Sequence, residues 1–399
     1  MKKNLILIVI IIIVSLSFLL IFLFVPKKKM IDLSNKNITE VEQYALNNKL
    51  DLEIKKINSS ILKDYVINQS IPKDTIIKKK MKLLVTISLG LDYKALKVNE
   101  LGNIPIMMYH GVRDEESKFI GGNIDKAGYQ RTKKAFINDL ESYYKKGYRM
   151  IKLNDYVNGL IDVKEGLSPI ILTFDDGLEN NIKVNGLDEA GNIIIDPNSV
   201  VGILESFKQK YPDFNVTATF FVNGGMFNQS KYNEKILKWL INNNYDIGNH
   251  SYSHADFTKI NEEKAVSEIG LVYNLLDKYI PNKYVKIVAL PFGSPYNKNH
   301  LNFNKILKGN YNNAEYITTS TLRVGWESEK SPFNKEFDKT FLKRIRAYDN
   351  NGHDFDIEMN FKMLENNRYI SDGDKTSIVI PKDKENKVNN PYNLKVITY

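Results

Sequence analysis

Short apolar runs alternate with amphipathic stretches over most of the chain. Apolar runs with few charges lie at residues 104–109, 170–174, 216–222, 245–248, 285–290, 316–319 and 377–380. Helical periodicity fills several of the intervals, at residues 132–146, 198–209, 233–243 and 261–278. Apolar strands that alternate with helices predict an α/β fold with a parallel sheet covered on both sides, and about seven such units would close into a barrel.

The first residues follow a different pattern. Residues 5–25 carry no charge, and a helix of 21 residues matches the thickness of a bilayer core. The end of this run and the residue after it, Phe22-Leu23-Phe24-Val25-Pro26, offer no small-residue cleavage site, which favours an uncleaved signal anchor. We therefore expect residues 1–29 to form a cytoplasmic stub and a single transmembrane helix, with the rest of the chain outside the cell.

Residues 30–90 predict a small α+β domain. A helical stretch at residues 38–48 precedes three apolar runs at residues 52–57, 65–67 and 81–89. The segments Ile31-Asp32-Leu33, Val66–Pro72 and Leu84–Gly90 resemble the opening, centre and end of a PASTA domain. This resemblance implies contact with the cell wall, and a simple spacer is the alternative. We expect a linker at residues 91–103 and one large domain at residues 104–399.

The distribution of charge and the absence of cysteine exclude several functions. The net charge is +9, but residues 27–98 hold 15 Lys and 8 acids, whereas residues 99–399 hold 39 charges of each sign. A neutral large domain disfavours nucleic acid as a partner. Because the chain has no Cys, it has neither disulfides nor thiolate metal sites, and any metal must be held by His and carboxylates.

Candidate functional residues follow three of the apolar runs. Asp175-Asp176-Gly177 follows the run at 170–174, His250 follows the run at 245–248, and Pro291-Phe292-Gly293 follows the run at 285–290. In a barrel, the loops after parallel strands meet at one rim. His250 and His254 are four residues apart, and two His with one Asp leave coordination positions open for catalysis. The alternative is that the Asp pair forms a tight turn and the two His are ordinary surface residues.

These residues resemble the motifs of the polysaccharide deacetylases of carbohydrate esterase family 4, whose catalytic domain is a distorted (β/α)7 barrel. The similarity rests on Thr173–Gly177 and His250–His254, with further likeness at Met108–Val112, Ala218–Val222 and Gly248–His250. It implies that Asp176, His250 and His254 bind one divalent metal, usually Zn²⁺, with Co²⁺ or Mn²⁺ as alternatives. It also implies that Asp175 is the general base and that a backbone N–H in Pro291-Phe292-Gly293 stabilises the oxyanion.

Two family features are missing. Ala289 occupies the position of the Arg that orients the base, and no Leu-x-His motif supplies a general acid. His300 and His353 are the later histidines that could replace it; otherwise Asp175 or a metal-bound water must return the proton. Slower or narrower catalysis, or a domain that holds metal without turnover, would follow from these losses.

Two further residues are candidates for substrate contact. The segment from Arg323-Val324-Gly325-Trp326 to Ser331-Pro332-Phe333-Asn334 resembles what certain Gram-positive deacetylases carry near a Trp-containing motif of the family. Trp326 could stack on a sugar ring, although a core or rim aromatic is the alternative. His110 follows the first apolar run of the large domain and points toward the same rim. The polar stretch at residues 178–197 is expected to form a loop that covers the sugar.

The sequence thus predicts a membrane-anchored, metal-dependent N-deacetylase of a Gram-positive bacterium. The expected substrate is peptidoglycan, at its N-acetylglucosamine or N-acetylmuramic acid residues. The alternatives are a deacetylase of another extracellular polysaccharide and a catalytically weak glycan-binding relative.

Overall fold

The computed structural model describes residues 27–114 and 129–399. The membrane span expected at residues 5–25 lies outside them. Within the described part of the chain, no helix is both long and apolar enough to cross a bilayer. The chain divides into two compact units, with the boundary between Asp92 and Tyr93.

The smaller unit combines one helix with a three-stranded sheet. Its strands lie in the order β1 (Asp51–Ile57), β3 (Lys82–Ser88), β2 (Val66–Gln69), with β1 parallel and β2 antiparallel to β3. Helix α1 (Ile38–Asn48) begins with a capping box between Asn37 and Glu40. Nine side chains form the core of the smaller unit: Met30, Leu33, Val41, Val66, Ile71, Ile77, Leu83, Val85 and Ile87. One helix on three strands is the arrangement that the apolar runs predicted.

The larger unit is organised around one curled parallel sheet. Along its path lie β16 (Ser320–Leu322), β13 (Ile287–Ala289), β12 (Asp246–Asn249), β11 (Thr219–Val222), β8 (Ser168–Phe174), β4 (Ile106–Tyr109) and β17 (Ile345–Arg346). A further strand, β7 (Tyr148–Met150), pairs with β8. A bridge between Leu322 and Leu342 joins the two ends of the path. The carboxyl ends of these parallel strands therefore meet at one rim.

Two of the expected sheet strands were placed wrongly. Residues 316–319 overlap the hairpin of β14 (Lys308–Tyr311) and β15 (Ala314–Ile317), and residues 377–380 form β18 (Ser377–Ile380), which pairs with β19 (Lys395–Thr398). Their places in the sheet are taken by β16 and β17. The sequence Lys343-Arg344-Ile345-Arg346 around β17 carries three cations in four residues, so it lacks the apolar run by which the other strands were identified.

The predicted helices are confirmed to within two residues at each end. They are α3 (Lys133–Lys145), α5 (Val200–Lys210), α6 (Asn233–Asn242) and α7 (Glu262–Tyr279). Their apolar faces pack on one face of the sheet, in a core that includes Phe136, Leu204, Ile236, Phe174 and Phe220. The opposite face forms a second core with Ile106, Ile171, Phe221, Ala289, Leu322 and Leu342. Alternate residues of each strand therefore point to the helices or to the inside of the curled sheet.

The remaining elements are short. Four helices are α2 (Tyr93–Leu96), α4 (Leu153–Val157), α8 (Leu301–Leu307) and α9 (Ile357–Leu364). Strands β5 (Gly111–Arg113) and β6 (Gln130–Thr132) pair in parallel. The stretch expected as a covering loop at residues 178–197 contains an antiparallel hairpin of β9 (Val184–Leu187) and β10 (Ile193–Ile195). The hairpin is anchored, because Val184, Ile193 and Ile195 pack on the core and Lys235 Nζ donates to the Gly191 carbonyl at 2.8 Å.

The segment before β4 belongs to the larger unit, which differs from the linker expected at residues 91–103. Asn99 pairs with Ile370, and Asn103 pairs with Arg368. The buried Glu100 carboxylate accepts hydrogen bonds from the Tyr369 hydroxyl and the Val379 N–H, both at 2.8 Å. These contacts fix the segment to the strands and turns of the carboxyl-terminal part.

Candidate metal centre and active site

Two adjacent carboxylates leave the carboxyl end of β8 in different directions. Asp175 is buried, with 2% of its side chain exposed, whereas Asp176 is 27% exposed. Asp176 adopts the left-handed conformation with φ 71°, and Gly177 follows at φ 56°. A Cβ at position 177 would lie 3.1 Å from Val222 Cγ1, so the turn that separates the carboxylates needs glycine.

The two histidines lie in a loop after β12. His250 is buried, and its Nδ1 lies 2.8 Å from the Ala289 carbonyl, so Nδ1 donates and Nε2 faces the site. His254 adopts φ 58°. The loop is held from α7, because the buried Glu268 carboxylate accepts from the Ser253 N–H and hydroxyl, each at 2.7 Å. Left-handed backbone at non-glycine residues is costly, and the surrounding hydrogen bonds stabilise it here.

Asp176, His250 and His254 offer three atoms to a shared point. His250 Nε2 lies 3.1 Å and His254 Nε2 lies 3.4 Å from the same carboxylate oxygen, Asp176 Oδ1. The three candidate ligand atoms lie within 4.8 Å of one another. His250 Nε2 is buried and forms no hydrogen bond of acceptable geometry with the described residues. A buried nitrogen left over in this way fits a ligand to a divalent cation, as do the two imidazoles and one carboxylate.

Asp175 has a different partner. Arg344 Nη1 and Nη2 donate to Asp175 Oδ1 and Oδ2, both at 2.7 Å, and the Arg344 side chain is fully buried. Arg344 is fixed in turn by its Nε, which donates to the Arg323 carbonyl at 2.8 Å. This is the bidentate geometry in which Arg binds carboxylates most strongly.

Arg344 is therefore the arginine partner of Asp175 that the sequence did not reveal. The expectation that Asp175 lacks such an arginine, drawn from Ala289, is wrong, because the guanidinium comes from the segment leading into β17. The backbones at Gly325 and Arg344 lie very close together, since a Cβ at Gly325 would lie 1.2 Å from the Arg344 carbonyl oxygen. The glycine beside Trp326 was the available sequence signal for a close backbone contact, but it does not reveal which segment of the chain makes that contact.

The Pro291-Phe292-Gly293 turn lies against the metal-ligand candidates. Phe292 adopts φ 57° and is 56% exposed, and its ring centroid lies 4.6 Å from that of His254. The turn follows β13, next to β12 in the sheet. The predicted proximity of this turn to the histidines is thus what the structure shows.

His110 lies at the end of β4, which is next to β8. It is buried, its Nδ1 has no hydrogen-bond partner among the described residues, and its ring meets that of Tyr129 edge-on at 5.2 Å. Asn181 donates to the His110 carbonyl at 2.6 Å. His110 therefore belongs to the same rim as Asp175 and Asp176.

Three other candidates make contacts of their own. His300 caps α8, where its Nδ1 accepts from the Asn302 N–H at 3.2 Å, and His353 is exposed in a turn before α9. Trp326 is 55% exposed, and its ring contacts that of Phe355 at 6.3 Å.

Burial and neighbouring charges set the ionisation of the site. Burial raises the pKa of Asp175, but Arg344 outweighs it and holds that pKa below its usual range. Burial lowers the pKa of His110 against the pull of Asp175 and Asp176. Burial and the neighbouring His250 lower the pKa of His254. Asp175 is therefore ionised, and His110 and His254 are neutral near pH 7.

Two families of known proteins match parts of the chain. Residues 163–310 match the sequence model of the family Polysaccharide deacetylase, and residues 28–89 match that of the PASTA domain. The peptidoglycan-N-acetylglucosamine deacetylase of Bacillus cereus is 35% identical over 94 residues, which are 23% of this chain and 30% of that relative. The match thus spans less than a third of the relative's length.

Similarity to solved structures extends over more of the chain at lower identity. The Streptococcus pyogenes deacetylase PplD in complex with acetate is 15% identical with a TM-score of 0.44, covering 62% of this chain and 93% of that chain. A polysaccharide deacetylase from Bacillus cereus is 15% identical with a TM-score of 0.46, covering 73% and 74%. The family matches support the expectation of a deacetylase enzyme: residues 163–310 are similar to the polysaccharide deacetylases and residues 28–89 to the PASTA domain.

Proposed function

We propose that the chain hydrolyses the N-acetyl group of cell-wall glycan, at N-acetylglucosamine or N-acetylmuramic acid of peptidoglycan, and releases acetate. The observation that carries this proposal is the Asp175–Arg344 pair beside Asp176, His250 and His254. A buried carboxylate kept ionised next to a set of metal-binding side chains is suited to activating water.

Asp176, His250 and His254 would hold the divalent cation, which we propose to be zinc, with cobalt or manganese as substitutes. When bound, such a cation acidifies water and polarises a carbonyl oxygen. The Ala289 carbonyl fixes the His250 ring, so that Nε2 rather than Nδ1 is the available ligand atom.

Asp175 moves the proton in both halves of the reaction. Its carboxylate accepts a proton from water as the water oxygen attacks the acetamide carbon, forming the C–O bond. The C–N bond then breaks, and the proton passes from Asp175 to the leaving nitrogen, which gives a free amine and acetate. Arg344 holds both carboxylate oxygens throughout, so the remaining lone pairs keep one direction.

The oxyanion that forms between these steps needs a donor. We assign this role to a backbone N–H of the Pro291-Phe292-Gly293 turn. The Phe292 ring of this turn already contacts the ring of His254. Losing one such donor typically costs about 3 kcal/mol of transition-state stabilisation.

The location of the enzyme is part of the proposal. Residues 5–25 would anchor it in the cell membrane with both folded units outside, and the PASTA domain would contact the wall or space the catalytic domain from the membrane. An excess of Lys over acids at residues 27–98 suits anionic wall polymers and lipid headgroups.

Treatment of purified peptidoglycan with the full chain and zinc tests the function. We expect acetate release and a loss of acetyl mass from one of the two sugars in the muropeptides, and a chelator should abolish both. No acetate in the presence of zinc, cobalt or manganese would contradict the proposal and favour a glycan-binding role.

A further inference from the structure

A second arginine lies on the Arg344 side of the same strand. Side chains alternate along an extended segment, and Ile345 and Ala347 pack into the core beneath the helices, whereas Arg344 points inward to Asp175. Arg346 therefore shares the inward side with Arg344 and lies about 6–7 Å closer to the rim.

Arg346 is half-buried and, unlike the three buried arginines, pairs with no carboxylate of the described residues. Arg344 binds Asp175, Arg131 binds Asp139 and Asp349, and Arg149 binds Asp213. Across residues 27–114 and 129–399, the Arg346 side chain forms no ion pair, and its buried Nε has no hydrogen-bond partner. Its guanidinium carbon lies 4.4 Å from the centre of the Tyr348 ring, which fixes the cation by a cation–π contact.

The carboxylates that follow Arg346 in the sequence are already engaged. Asp349 binds Arg131 at 2.7 Å, and Asp354 accepts from the Asn350 side chain at 2.7 Å. Asp356 accepts from the Asn350, Gly352 and Met359 N–H groups. Within residues 27–114 and 129–399 the half-buried guanidinium of Arg346 has no carboxylate; leaving such a group unpaired costs free energy, and a bound anion would satisfy it.

The segment that contains Arg346 is connected to a pair of exposed aromatic residues. Trp326 and Phe355 are 55% and 37% exposed and contact each other. Asn360 fixes both, since its Nδ2 donates to the Trp326 carbonyl at 3.0 Å and to the Phe355 carbonyl at 2.7 Å. The Tyr348 hydroxyl donates to the Asp354 carbonyl and so connects Arg346 with this pair. Aromatic faces of this kind bind the apolar faces of sugar rings, and a cation beside them adds a preference for an acidic sugar.

We propose that Arg346 binds a carboxylate of the glycan, so that the enzyme prefers an N-acetylated sugar with a carboxylate-bearing substituent, as in muramic acid, over an uncharged N-acetylglucosamine polymer. This inference rests on the proposed deacetylase function. Charge-assisted hydrogen bonds contribute enough for a preference of about tenfold to a hundredfold.

The test compares two substrates on the full chain with zinc: peptide-free glycan strands with free lactyl carboxylates, and a neutral N-acetylglucosamine hexamer. In Arg346→Gln, we expect the ratio of kcat/KM for the acidic over the neutral substrate to fall about tenfold to a hundredfold, through KM. Arg346→Lys should recover part of the ratio. The matched control is Arg323→Gln, since the Arg323 side chain stacks on Phe341 in the same way and forms no ion pair with the described residues, and it should keep the ratio.

An unchanged ratio in Arg346→Gln would overturn the proposal, and so would an equal fall in kcat on both substrates, which would assign Arg346 to the reaction itself. Failure of the deacetylase function is distinguishable. If the unmodified chain releases no acetate, calorimetry can measure the affinities of the two glycans for Asp175→Asn, with and without Arg346→Gln. The ratio of these affinities then takes the place of the ratio of kcat/KM. Equal affinities for the two glycans would then contradict the role of Arg346.

Discussion

Arg344 and Asp175 place opposite charges inside the larger unit, with 0% and 2% of their side chains exposed. Removing two charges from water costs free energy that their attraction repays only with good geometry, so such a pair is weak support for stability. Its value here is chemical, because it keeps a buried carboxylate ionised and fixed in direction.

Replacing Arg344 by Lys tests the positioning of Asp175. Lysine keeps the charge but offers a point donor in place of the planar fork, so it cannot hold both oxygens in one orientation. We expect kcat for acetate release to fall on the order of a hundredfold, with zinc affinity retained. Arg323→Lys is the matched control and should retain activity. Full activity of Arg344→Lys would contradict the positioning role.

The backbone conformation of several site residues could not be predicted from the sequence. Asp176, His254 and Phe292 all adopt positive φ, which their side chains do not favour. The motifs located these residues, but their backbone conformation depends on distant partners, such as Glu268 for the histidine loop. Arg344 was missed for the same reason, since its burial makes sense only when Asp175 lies opposite.

At the scale of elements, helix α7 acts as a support for the histidine loop. Glu268 lies on this helix with no exposed side chain and binds Ser253, next to His254, while Lys264 Nζ lies 2.8 Å from its carboxylate. The helix therefore fixes the ligand loop from outside the site.

Glu268→Gln should weaken zinc binding. An amide offers one acceptor where the carboxylate offers two, so one of the Ser253 hydrogen bonds is lost, and changes behind metal ligands typically cost about tenfold to a hundredfold in affinity. Competition with a chromophoric chelator measures this. Glu262→Gln is the control, because this exposed acid on the same helix pairs with Lys305 at the surface. Equal zinc affinity of Glu268→Gln and the unmodified chain would show that α7 has no such role.

The pattern of apolar runs located the helices and strands whose buried residues are apolar, and it missed a strand whose buried residues are charged. The four long helices have an apolar face and the strands β4, β8, β11 and β13 are mostly apolar, and they were placed within a few residues, as was the more polar β12. Strand β17 was missed because Arg344 and Arg346 point to the inside of the sheet, where one is neutralised by Asp175 and the other faces the rim. Functional strands break the apolar pattern at the places where they carry chemistry.

At the scale of the whole molecule, Glu100 ties the entry of the larger unit to its carboxyl-terminal part. Burial, with the nearby Asp372, raises the pKa of Glu100 to about 8. The folded state therefore retains a proton that the unfolded chain releases near its ordinary value of 4.5. Because the folded state binds more protons in this window, stability is full below about pH 4.5 and is lost as the pH rises toward 8.

Glu100→Gln should remove this dependence on pH. We expect the free energy of unfolding of the unmodified chain to fall by up to about 1.4 kcal/mol per pH unit between pH 5 and 8, relative to that of the variant. Both tryptophans, Trp239 and Trp326, lie in the larger unit, so their fluorescence in urea reports on it alone. Parallel pH profiles for the two proteins would exclude a titrating Glu100.

Zinc content measured together with acetate release in two variants tests the central claim most directly. Asp175→Asn should bind one equivalent of zinc with the affinity of the unmodified chain and release no acetate, because the base is separate from the ligands. His254→Ala should lose both zinc and acetate release. If His254→Ala keeps zinc and activity, or if Asp175→Asn still releases acetate at the normal rate, the account of this site is wrong.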